Sequence, residues 1–202
     1  MHRPTQRQVR LLKALTIPGA LVLSAAFVWQ GSYAAFSSTT SNAGSNWATG
    51  KVALVDDDAG AAAFAASGLK PGSTGSKCIQ VTSNGTLPGS VKLYSANVAS
   101  TNSLASYVQL KVEQGSGATF AGGCGAFVPT GYVLGSAATS VTLATFGSTN
   151  TNFTNGVGSW ALAGTAGESR SFRITWTIDA AAPSTVQGST ASGDFVWEAQ
   201  NS

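Results

Sequence analysis

Between residues 52 and 198, apolar and polar side chains repeatedly alternate one for one, the period of a strand that buries one face. Val108, Leu110 and Val112 alternate with Gln109, Lys111 and Glu113. Phe172, Ile174, Trp176 and Ile178 alternate with Arg173, Thr175 and Thr177. The same period sets Val52 and Leu54 against Ala53 and Val55, and Ile79 and Val81 against Cys78, Gln80 and Thr82. Val91 and Leu93 alternate with Lys92 and Tyr94, and Phe195 and Trp197 with Val196 and Glu198. A helix gathers its apolar face at a period of 3.6, so segments of this kind cannot build a helical core.

Between these segments lie turn signals: Lys70-Pro71-Gly72, Ser83-Asn84-Gly85, Leu87-Pro88-Gly89, Gln114-Gly115-Ser116-Gly117, Gly122-Gly123 and Ala182-Pro183-Ser184. Two antiparallel sheets packed face to face bury one side of every such strand. The expected fold is therefore all-β, a two-sheet sandwich with Gly/Ser-rich loops. Thr139 to Phe146 reads two ways: Thr139-Ser140 capping a short helix that carries Val141, Leu143 and Phe146, or a further strand. At 202 residues, 43% hydrophobic and only 9% charged, the chain has material for one self-sufficient core and is unlike a disordered or coiled-coil sequence.

The first residues have a separate logic. Met1 to Lys13 is basic, Ala14 to Trp29 is an almost uninterrupted apolar run, and Gly31-Ser32-Tyr33-Ala34 supplies small residues for a cut between Ala34 and Ala35. This is the layout of a secretory signal peptide over residues 1–34. A retained anchor fits less well, because the run is short for a bilayer and Pro18-Gly19 interrupts it. The expected mature protein has a Ser/Thr/Asn-rich leading segment over residues 35–50, then a sandwich domain over 51–202, with no membrane span. Cys78 and Cys124 form the only cysteine pair, and in an exported chain they are expected to be oxidised together.

The charge of +3 belongs to the leader, which holds Arg3, Arg7, Arg10 and Lys13. Without them seven basic residues face eight acidic ones, a net of about −1 that offers nothing to a phosphate backbone. Nucleic acid is excluded as a partner.

Catalytic chemistry finds little support. His2 is the only histidine and leaves with the leader, so Ser–His, Cys–His and paired-His zinc arrangements have no base or ligand. Glu113, Asp179 and Glu198 fall near strand ends or on outward positions and read as solvated groups. Asp56-Asp57-Asp58 is the densest charge and a candidate Ca²⁺ site, but the spacing is not that of an EF-hand and an acidic turn explains it. Trp176 and Trp197 lie on apolar faces and read as core. Trp47 and Trp160 sit in Gly/Ser/Asn-rich surroundings, where an exposed ring would suit a sugar.

An ordered set of segments carries a family likeness. Ala34-Ala35-Phe36-Ser37-Ser38-Thr39-Thr40 follows the leader, then Trp47-Ala48-Thr49-Gly50-Lys51-Val52-Ala53-Leu54 and Gly68-Leu69-Lys70-Pro71-Gly72-Ser73-Thr74. Asn84-Gly85-Thr86-Leu87-Pro88 and Val91-Lys92-Leu93-Tyr94 come next, and Phe195-Val196-Trp197-Glu198-Ala199-Gln200-Asn201 closes the chain. In order and spacing this resembles the TasA/camelysin family of exported bacterial proteins, in the cysteine-containing form seen in actinobacteria. It departs from better-known members in Cys78, Cys124 and the Gly-rich stretch from Gly115 to Gly125.

The resemblance implies a jelly-roll-like sandwich and a dedicated signal peptidase of the SipW kind. It also implies head-to-tail assembly into extracellular fibres at the surface, or in the matrix, of a Gram-positive-type bacterium, where cell-wall or matrix components are further partners. In such fibres the leading segment joins the next subunit as a donor strand, here Ala35, Phe36, Ser38 and Thr40, with Phe36 and Trp47 as anchors. The casein-cleaving activity behind the family's second name is not expected, for want of His ligands. No cofactor is expected beyond the candidate Ca²⁺. An exported metallopeptidase and a monomeric adhesin or carbohydrate-binding module are the alternatives.

Overall fold

In a computed structural model of the chain, the backbone of residues 37–40 is described, as are residues 53–58 and 69–201 with their side chains. The leader, its cleavage site at Ala34 and Ala35, and the expected anchors Phe36 and Trp47 lie outside these residues.

The strands are β1 (Ser37–Thr40), β2 (Leu54–Asp56), β3 (Thr74–Ser83), β4 (Gly89–Ser100), β5 (Val108–Ser116) and β6 (Val128–Leu134). After them come β7 (Val141–Thr142), helix α1 (Leu143–Thr149), β8 (Val157–Leu162), β9 (Glu168–Ile178) and β10 (Ala191–Asn201). One sheet runs β1-β10-β4-β8 and the other β2-β3-β9-β5-β6, with β7 paired to β5, and every pairing is antiparallel. Leaving aside the short β2 and β7, the strands alternate between sheets except at the β5–β6 hairpin, with the first beside the last, as in a jelly roll.

The alternation builds the core as expected. Val91, Leu93, Trp160, Leu162, Trp197 and Ala199 of the first sheet meet Ile79, Val81, Leu110, Val112, Phe172 and Ile174 of the second, all buried. Burying a side chain of this size contributes about 1.5–3 kcal/mol. Trp176 is half-buried and packs on this core; across from it Gly75 leaves room for the indole, where a Cβ would come within 2.7 Å of the ring.

Both readings of Thr139 to Phe146 hold in part. A two-residue strand leads straight into the helix, and the cap is Thr142, whose Oγ1 accepts the Thr145 N–H at 3.0 Å. The helix closes one end of the sandwich: Phe146 is fully buried, stacks on Phe195 at 5.8 Å, and its carbonyl accepts the Ser95 hydroxyl at 3.1 Å.

Other expectations are corrected. Gln114-Gly115-Ser116 is no turn but the end of β5, because it pairs with β6. Trp160 is 6% exposed: it alternates with Ser159 in β8, and its Gly/Ser surroundings are the exposed side of a strand. Glu113 and Glu198 are buried, each matched by a neighbour in place of water. Glu113 binds Arg173, and Glu198 stands opposite Lys92 and accepts from Gln200 Nε2 at 2.9 Å. Among the described residues no helix is long and apolar enough to cross a membrane.

Candidate assembly site

A sandwich ends in strands whose outer N–H and C=O groups point away from the sheet, and each edge is a place where another strand can add. The edges of this protein are treated differently. On β6, Pro129 removes a donor and the register against β5 shifts twice. On β8 the pairing with β4 breaks between Val91 and Leu93, beside Gly158 at φ +74°. β2 is three residues long. Each of these is a poor template.

β10 carries a single register shift, between Ser192 and Asp194 near its start. β10 pairs with β4 from Ala191 to Asn201, and the register is unbroken from Asp194 onward. Among the described residues its other side is paired by β1, over four residues: Ser37 opposite Gln200, Ser38 opposite Ala199, Thr39 opposite Glu198 and Thr40 opposite Trp197. Residues Ala191–Val196 of that edge have no strand partner among the described residues. Inward of this edge, Trp197 and Ala199 are buried and the Trp197 ring lies 5.2 Å from Phe172, so the strand β1 covers is part of the core wall.

Ser38 and Thr40, expected in a loose leading segment, thus belong to a strand seated on the chain's own last strand. A run of Ser and Thr brings main-chain hydrogen bonds and no large apolar side chain, and each such bond contributes a net of about 0.5–1.5 kcal/mol. Four residues of this kind make a weak cover. Residues 41–52 join β1 to the domain, and a stretch of that length reaches at most about 40 Å.

The acidic run resolves into a different device. Asp57 Oδ1 accepts the Gln80 N–H at 2.8 Å and Oδ2 accepts the Phe120 N–H at 2.6 Å, so both oxygens tie backbone to backbone. No group of three or more His, Cys, Asp or Glu side chains among the described residues is placed to hold a metal ion. Asp56, Asp57 and Asp58 therefore do not come together as the candidate Ca²⁺ site. Asp179 accepts Gln109 Nε2 at 3.0 Å and the Ala181 N–H at 2.8 Å, a turn-holding role.

The expected disulfide is present: Cys78 is bonded to Cys124, with Cα atoms 5.3 Å apart, and Cys78 is fully buried. No protein-family model matches the chain, and no curated protein matches it in sequence. The geometry of the edges is thus the ground on which a function is argued.

Proposed function

We propose that the mature chain is a non-enzymatic, exported structural subunit that assembles head to tail into extracellular fibres. In this reading the N-terminal strand of one copy replaces β1 on the β10 edge of the next. The observation that carries it is the contrast on β10: an edge in unbroken register from Asp194 to Asn201, lined by core residues and paired among the described residues with just the four Ser/Thr residues of β1. Strand addition takes its affinity from main-chain bonds and its register from alternation, so an identical neighbour's β1 fits wherever the chain's own does. A donor and an acceptor on different parts of one surface make a head-to-tail contact, which gives an open chain of subunits where its rotation does not close into a ring. A buried disulfide is compatible with an oxidising compartment outside the cell. The likeness to the TasA/camelysin family points the same way, with a SipW-type peptidase freeing the leading end and cell-wall or matrix components as later contacts.

The test is a mixing experiment. Ser37 and Gln200 are opposite in register, so chains carrying Ser37→Cys alone are combined with chains carrying Gln200→Cys alone. Strand exchange yields a disulfide between the two chains and filaments by electron microscopy, and deleting Ala35–Asn46 leaves folded monomers. Filaments that persist after the deletion, or mixtures that never cross-link, overturn the donor-strand reading.

A further inference from the structure

The Gly-rich stretch after β5 crosses the sheet. From Ser116 the chain passes β9, where Ala118 and Ser171 bond reciprocally: the Ala118 N–H donates to Ser171 Oγ at 3.1 Å, and that hydroxyl donates to the Ala118 carbonyl at 2.6 Å. It then reaches β3, two strand spacings or roughly 10 Å from β5. There Phe120 is held by Asp57, its ring lies under Lys77 Nζ at 3.8 Å, and Cys124 is bonded to Cys78. The strap turns on a bridge between Thr119 and Gly123 and returns over Arg173, whose guanidinium sits 4.9 Å above the Phe127 ring, to begin β6. Gly115 permits the crossing, since a Cβ there would strike the Val128 carbonyl.

The landing place is where β3 lacks a partner. β2 pairs only with Val81–Ser83, and from Thr74 to Gln80 the outer edge of β3 has no strand beside it among the described residues. One register step beyond Asp56–Val81, the position of the next ladder bond is taken by the Asp57 side chain, which accepts the Gln80 N–H and holds the strap with its other oxygen.

We infer that the β3 edge from Thr74 to Gln80 is a second strand-accepting surface, and that the disulfide-anchored strap of residues 117–127 is the cover that denies it to a second copy of this chain. The occupant it excludes is that copy's Ser/Thr strand, residues 37–40. That segment already pairs antiparallel with one strand edge of this fold, and the main-chain bonds that give such pairing its affinity are offered equally by the regular edge of β3. The inference stands apart from which edge carries fibre growth, because it concerns a cover on β3 and not the acceptor on β10.

Full-length mature protein is compared with the Cys78→Ser/Cys124→Ser variant and with Asp57→Asn, which leaves the disulfide intact. Dilute samples are followed by amide hydrogen exchange and concentrated ones by light scattering. Exchange at Gln80 and Phe120 is expected to rise about tenfold in both variants while Val112 and Ile174 stay protected, the sign of a local opening in a folded domain. The cysteine-less variant is expected to gain association absent from the oxidised protein, with cross-links that map to residues 74–80. Unchanged exchange at both amides in either variant overturns the proposal, as does opening without any gain in association. Failure of the oxidised protein to form filaments bears on the assembly reading alone, since neither amide reports on it.

Discussion

Two strand edges of this sandwich face the same hazard and are closed by different chemistry. The β10 edge is covered by four Ser/Thr residues through main-chain pairing. The β3 edge is crossed by a strap fixed by a disulfide, a bridging carboxylate, a reciprocal hydroxyl–backbone pair and two cations over rings. In the proposed assembly the first closure can be exchanged for an identical segment from another molecule. The second cannot, because its bonds are specific to side chains fixed at one place.

The sharpest way to break the contrast is to remove the covalent part. Closing a loop whose ends are 46 positions apart in sequence is worth about 4 kcal/mol in the chain-entropy account, so Cys78→Ser/Cys124→Ser is expected to lower denaturant stability by up to that amount. A much smaller loss would mean that the non-covalent contacts order the strap unaided.

Next comes the ion pair beneath the strap. Arg173 Nη2 lies 2.7 Å from Glu113 Oε2, with the Glu113 side chain 11% exposed and the Arg173 side chain 32%. Removing the cation leaves a carboxylate in place with little water, which for a partly exposed pair costs about 2 kcal/mol, less than a fully buried one. Arg173→Met is expected to destabilise by that much, and the added Glu113→Gln to recover most of it; a double variant as unstable as the single would assign the loss to packing against Phe127.

This pair also shows what the sequence could and could not reveal. The alternation in β3, β4, β5, β9 and β10 placed Ile79, Leu93, Val112, Ile174 and Trp197 in the core, because period two needs only neighbours along the chain. Glu113 read as solvated from the same pattern, since nothing nearby in sequence shows that residues 117–127 come back over it. The role of Asp57 depends on amides 23 and 63 residues away. β8 was legible in principle: Trp160 and Leu162 alternate with Ser159 and Ala161, but small residues hid the strand. β1 was read as a donor, yet its seat on β10 follows only from the jelly-roll order, which puts the first strand beside the last.

The β10 side is sharpened by a change that matters little to the monomer. Adjacent residues of an edge strand point their N–H groups in opposite directions, so either Ser38→Pro or Thr39→Pro removes a donor from the β10 ladder. The expected cost to the monomer is about 1 kcal/mol, the net worth of one such bond. Filament yield, by contrast, is expected to collapse for the variant that loses the inward donor. Unaltered filaments from both variants would place the junction elsewhere.

The smallest effect tests whether a carboxylate bridge of the Asp57 kind matters when it is left in water. Glu168, at the β8–β9 turn, accepts the Ala163 N–H at 3.0 Å and the Thr165 N–H at 2.8 Å. Those backbone bonds favour the charged form and hold its pKa below the ordinary value of 4.5. A carboxyl whose pKa is lowered by folding adds stability that is complete above its unfolded value and is lost as pH falls through the folded one. Melting temperature followed downward from pH 6 should therefore drop slightly more steeply below pH 4.5 for the wild type than for Glu168→Gln. Because this carboxylate is nearly unshielded from solvent, the difference should shrink further at high salt. Superimposable curves would mean that the same two-amide geometry adds stability only where, as at Asp57, it is partly buried.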